Sequence, residues 1–213
     1  MKTQISQKPI FISVINHNET PNHRSIRIVG DWYSQVEKNF DTKVLNAATL
    51  TVESFYTTVV ELTKNRPSVC MYFCLHGLHE TSEEHPDGYE LLRLNEQNKI
   101  SDDDFTSFIA SLPVPHLYLY FEVCHSGGLI NTLVCDTASM PLDHSLVMFT
   151  ACSKDQKCWT LHHESRTEHW CIGETSQWLI QHKLNPFITP DACYMALRQN
   201  LPHLQPKYIV LRN

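Results

Sequence analysis

The chain has 213 residues, with 17 Lys and Arg against 23 Asp and Glu, for a formal net charge of −6. Its cations are scattered rather than clustered, which argues against nucleic acid and anionic membrane surfaces as partners and leaves basic peptides as natural ones. A hydrophobic fraction of 42% and a charged fraction of 19% suit a single globular domain with a sizeable core, and no Pro/Gly/Ser-rich linker divides it.

The polar start Met1-Lys2-Thr3-Gln4 runs straight into the first apolar run, about residues 9–15, which reads as a strand. With no signal peptide and no apolar stretch near 18 residues, the expected location is the cytoplasm. The eight cysteines are then expected as reduced thiols. A helix over Asp31–Phe40 and a strand at 43–47 come next. Thr51 to Lys64 places Val52, Phe55, Tyr56, Val59, Val60 and Leu62 on one broad face, with Thr51 as N-cap. Residues 68–75 read as a buried strand, and 79–99 show no clear period.

A helix starts at Ser101, with Asp104 as capping partner, and ends near Leu112 before Pro113. Strands follow at 117–123 and 145–151, then an irregular segment at 160–170. Helices at 172–184 and from Thr189-Pro190 to Leu201-Pro202 precede a last strand at 207–212. Strands alternating with helices of this length predict an α/β fold: a mostly parallel six-stranded sheet with helices on both faces.

Two of these strands end in reactive side chains: one runs into His76-Gly77, the other into Glu122-Val123-Cys124-His125-Ser126-Gly127-Gly128. Chemistry in a parallel sheet gathers beyond the carboxyl ends of its strands, so an imidazole is expected beside a thiol. A thiol is a weak nucleophile at neutral pH until a neighbour favours the thiolate. His76 is placed to do that for Cys124 and to protonate the departing amine. The N–H groups of Gly77 and Cys124 are candidates for an oxyanion hole. The blander readings are an inert core cysteine and a plain His-Gly turn. Placement of both at strand ends favours the catalytic one. His125, if still on the strand, would point to the opposite face from Cys124.

Glu122, two residues before Cys124, shares its face on an extended strand. A carboxylate there suits a pocket that selects Arg or Lys before the scissile bond. The alternative is a Glu paired internally with a histidine. Asp31 is a second candidate acid, or simply a first-turn helix residue. Cys70, Cys74, His76 and His79 offer soft metal ligands but lack CxxC knuckles, and a buried strand explains the cysteines better.

Cys124-His125-Ser126-Gly127 with His76-Gly77 resembles the metacaspases, caspase-related cysteine peptidases of plants, fungi, protists and some viruses. The 48 residues from His76 to Cys124 match the roughly 50-residue separation known for caspases. Asp87-Gly88-Tyr89-Glu90, Ile100-Ser101-Asp102-Asp103-Asp104 and Val147 through Gln156 resemble further family segments, so the likeness runs along nearly the whole chain. It implies a single caspase-like domain over 1–213, with a large-subunit-like region to about 134 and a small-subunit-like region from about 145.

The resemblance also implies the dyad His76 and Cys124, pocket acids Glu122 and Asp31, and Cys74 where the family often has a pocket-lining Ser. Many metacaspases use calcium, bound by acids that match Glu90, Asp102, Asp103 and Asn131. Asn131 is neutral where the family is acidic, and helix capping explains Ser101–Asp104 equally well. No other cofactor is implied, and a monomer is expected. The implied activity is endopeptidase cleavage after Arg or Lys. Alternatives are a legumain- or separase-branch peptidase and a caspase-fold pseudoenzyme or adaptor.

Overall fold

The computed structural model describes residues 8–16, 40–83, 86, 88–129, 145–155, 157, 160–164 and 169–212, with side-chain surroundings omitted for 160–164, 169–173, 211 and 212. The expected helix over Asp31–Phe40 falls largely outside this set. Six strands form the main sheet: β1 (Ile10–Ile15), β2 (Asp41–Asn46), β3 (Val69–Cys74), β7 (His116–Glu122), β8 (Ser145–Thr150) and β11 (Lys207–Arg212), in the order β11-β8-β7-β3-β1-β2. All neighbours pair in parallel except β11, which runs antiparallel to β8 at one edge.

Residues of β1, all six buried, and of β3 alternate between two cores. Ile10, Ile12, Val14, Met71 and Phe73 face one side, with Phe55 and Val59 of α1 (Val52–Thr63) and Phe105 and Ile109 of α2 (Asp102–Ser111). Phe11, Cys70 and Tyr72 face the other, with Leu179 of α3 (Glu174–Gln181) and Cys193 and Leu197 of α4 (Pro190–Asn200). Helices on both faces of a mostly parallel sheet are therefore present, as the alternation of elements predicted.

Local chemistry explains the starts of α1 and α2. Thr51 and Ser54 close a reciprocal capping box at α1, satisfying two amide donors that the helix leaves unpaired. Ser101 caps α2 through the Asp104 amide at 3.1 Å. Phe73 and Phe121 stack at 4.7 Å, and Phe105 meets each edge-on at 5.5 Å, which fixes α2 against the central strands.

Two features depart from the sequence reading. His76–Glu80 (β4), Tyr89–Asn95 (β5) and Asn98–Ser101 (β6) form a three-stranded antiparallel sheet where an irregular segment was expected. Thr160–Glu164 (β9) and His169–Gly173 (β10) pair as a hairpin in the other such segment. The first of these sheets is tied to the main body by Asn16 Nδ2, which donates to Leu94 O at 2.9 Å, and by Asn95 Nδ2, which donates to Ala47 O and Leu50 O at 2.9 and 2.8 Å.

Candidate active site

β3 and β7 lie side by side at the middle of the sheet, aligned so that Cys74 faces Glu122. Just beyond their ends come His76, exposed at the start of β4, and Cys124, half-buried in the turn after β7. The two candidate catalytic residues thus leave adjacent strand ends. Gly77 is pressed against the nucleophile's own peptide: a Cβ there would lie 1.8 Å from Cys124 O and 2.7 Å from Val123 Cγ1. Only glycine admits that approach.

β7 stops at Glu122, and residues 123–125 turn. Ser126 N donates to Val123 O at 3.3 Å and Gly128 N to His125 O at 2.9 Å. His125 takes a left-handed φ of 59°, a conformation that costs a residue with a Cβ and persists where the surroundings enforce it. Its Nδ1 lies 2.7 Å from Lys154 O, so a backbone carbonyl holds the ring. The expectation that His125 lies on an extended strand opposite Cys124 is corrected accordingly. Beneath the turn, buried Cys152 donates its thiol to Val123 O at 3.4 Å. Gly127 sits close over Ser153 and Lys154, whose backbone atoms a Cβ would meet at 2.7–2.8 Å.

Glu122 is 4% exposed. Its carboxylate accepts hydrogen bonds from Tyr72 Oη at 2.5 Å, Thr175 Oγ1 at 2.5 Å, Ser176 N at 2.8 Å and the Ser176 hydroxyl. The internal partners are hydroxyls and an amide, not histidines. Ser176 N belongs to the first turn of α3, so Glu122 also supplies an acceptor at that helix start. Tyr120 Oη extends the network, 2.8 Å from Thr175 Oγ1. Burial, then the charges of Cys74, Glu122 and Tyr120, then the Glu122 hydrogen bond raise the Tyr72 pKa well above its ordinary value; Tyr72 therefore remains a donor.

The sequence reading missed Tyr72, Tyr120, Thr175 and Ser176. The signal for the tyrosines was present: Tyr72 and Tyr120 stand two residues before Cys74 and Glu122, and hence on their faces. Cys74 is half-buried next to Glu122 in the register. Asp31 lies outside the described residues.

Glu90, on β5, is 6% exposed, with Oε1 3.1 Å from His79 Nδ1 and Oε2 buried without a hydrogen-bond partner. Its pKa is raised chiefly by burial; the His79 hydrogen bond and charge and the His125 charge oppose the shift, and Asp102 adds to it. Glu90 packs directly over Gly128, where a Cβ would lie 2.3 Å from Glu90 Cγ. Asp102 Oδ1 accepts from the Asp103 amide at 3.2 Å, and Asp103 is exposed. Asn131 lies outside the described residues, and among those described no three His, Cys, Asp or Glu side chains converge as a cation site. Glu90 with its orphaned oxygen and Asp102 nearby would form part of a calcium cradle, not the whole of one. No helix among the described residues is long and apolar enough to cross a membrane.

No family model and no curated protein matches the chain. Among solved structures, the chain is similar to caspase-1 from Spodoptera frugiperda, with a TM-score of 0.46 and 12% identity over 83% of this chain and 68% of that one. It is also similar to Raptor from Chaetomium thermophilum, with a TM-score of 0.42 and 9% identity over 72% of this chain but only 16% of the Raptor chain.

Proposed function

We propose that the protein is a caspase-like cysteine endopeptidase of metacaspase type that cleaves peptide bonds after Arg or Lys, working as a single domain. The observation that carries this reading is the placement of His76-Gly77 and Cys124 at the ends of two paired central strands, with Gly77 against the Cys124 peptide. In this mechanism His76 takes the Cys124 proton, and the sulfur attacks the peptide carbonyl. The carbonyl electron pair moves onto oxygen near the amides of Gly77 and Cys124. Collapse expels the amine, which His76 protonates, and water then releases the acyl group from sulfur.

Specificity for a cation is supported by Glu122. All four of its donors are neutral, and among the described residues no Lys, Arg or His pairs with it. A buried anion served only by neutral donors gains most from a cation brought in by the substrate. Calcium, through Glu90 and Asp102, is a regulator within this proposal and takes no part in the bond-breaking steps.

The test is covalent labelling by peptidyl acyloxymethyl ketones ending in Arg or Asp, read by intact mass and peptide mapping, with and without calcium. The Arg probe should add once, at Cys124, and His76→Ala should slow the addition. Labelling spread over other cysteines, or an equal reaction with the Asp probe, would contradict the proposal.

A further inference from the structure

Away from the Glu122 network, a cavity of about 370 Å³ opens between α4, the loop at 202–206, the start of β11 and the segment that follows β8. Arg198 and Lys207 both line it, with Ser153, Tyr194 and Gln205, and among the described residues no Asp or Glu lines it. In a chain where acids outnumber Lys and Arg by 23 to 17, this is a local reversal of charge. A cation in the last turn of α4 suits the helix dipole. Lys207, from a different element, brings a second cation to the same concavity.

The Arg198 guanidinium is already oriented. It lies 5.7 Å from the centroid of the Tyr194 ring, and its Nη1 donates to Tyr194 Oη at 3.3 Å. That leaves guanidinium N–H donors to meet a ligand. The cavity wall is fixed by Ser153 N donating to Leu204 O at 3.1 Å and by Lys207 N donating to Thr150 Oγ1 at 3.2 Å. A preformed site of this kind spares the ligand the cost of ordering the wall.

We infer that this cavity binds an oxyanion, a carboxylate or a phosphate, held by Arg198 and Lys207 with the Ser153 hydroxyl. The fork of Arg198 suits two oxygens of one anion, and Lys207 adds a point charge. Ser153 and Lys154 join this site to the Cys124 turn, because Gly127 packs on them and His125 is bound to Lys154 O. An anion seated here would therefore stiffen the support of that turn. The inference does not depend on the chemistry assigned to Cys124.

The experiment is titration of the full chain at low ionic strength, followed by amide NMR shifts. One arm uses inorganic phosphate; the other uses an acetylated Gly-Glu repeat peptide with no Lys or Arg. Saturable shifts at Ser153 and Gln205 are expected, with affinity reduced about tenfold or more, roughly 1.4 kcal/mol, in Arg198→Gln and in Lys207→Gln. Arg198→Lys should restore part of the loss, and Lys43→Gln, on β2 at the opposite edge of the sheet, should change nothing. Response to both ligands, or to either alone, supports the site and identifies a free ion or a peptide carboxylate as its source. No saturable shift from either ligand, or binding that neither Arg198→Gln nor Lys207→Gln weakens in protein with an unchanged amide spectrum, would overturn it.

Discussion

At the scale of single residues, Gly77 and Glu122 carry the most specific expectations. Gly77→Ala would push a Cβ into the Cys124 carbonyl and the buried Val123 side chain, so the strand end must shift. Overpacking of this kind costs about 1–3 kcal/mol. We expect turnover to fall at least tenfold, while the main-sheet circular dichroism is retained. Unchanged turnover would show that the contact is unimportant for the site. For Glu122→Gln, the informative reading is a ratio, because the substitution also disturbs the donors around it. The preference for Arg over an uncharged residue before the scissile bond should drop about 30-fold or more, at 1.4 kcal/mol per decade. A preserved ratio would place the selecting acid elsewhere.

Glu90 gives a pH signature. Burial raises its folded-state pKa above 4.5, so through the window just above 4.5 the folded protein holds a proton that the unfolded chain has released. Stability therefore declines as pH rises across that window. Glu90→Gln removes that decline. The melting temperature of the variant, relative to wild type, should thus rise between pH 4 and pH 7; a constant difference would contradict the assignment of a raised pKa.

Among elements, β1 and β3 were legible because each is a run of apolar residues buried on both faces. The three-stranded sheet was not. In β5, Glu90, Leu91 and Leu92 are buried in succession, which erases the period of two that marks a half-buried strand. β4 is only partly buried along its length, so His76-Gly77-Leu78-His79 resembles a loop in sequence. The dyad candidates were readable from motif and spacing alone. The hydroxyl ring around Glu122 was not, because Thr175 and Ser176 come from a helix start more than 50 residues away in sequence. The starts of α1 and α2, by contrast, follow local rules. Thr51→Ala should cost about 1 kcal/mol through loss of the capping box at α1, measured by urea unfolding with an unchanged slope. A change under about 0.3 kcal/mol would mean the box adds little.

For the whole molecule, the proposed activity rests on a parallel sheet that brings the strand ends carrying His76 and Cys124 side by side, with Glu122 beneath them. Helices on both faces hold β3 and β7 at the centre, and Gly77, Gly127 and Gly128 allow the surrounding segments to close on the Cys124 turn. The most direct measurement is turnover of matched fluorogenic peptides ending in Arg, Lys, Asp or Asn by the purified protein and its Cys124→Ala variant. Cleavage after Arg, and less readily after Lys, is expected, with none after Asp and no activity in the variant. Cleavage after Asp by the wild-type protein, or Arg cleavage that persists in Cys124→Ala, would contradict the proposed activity.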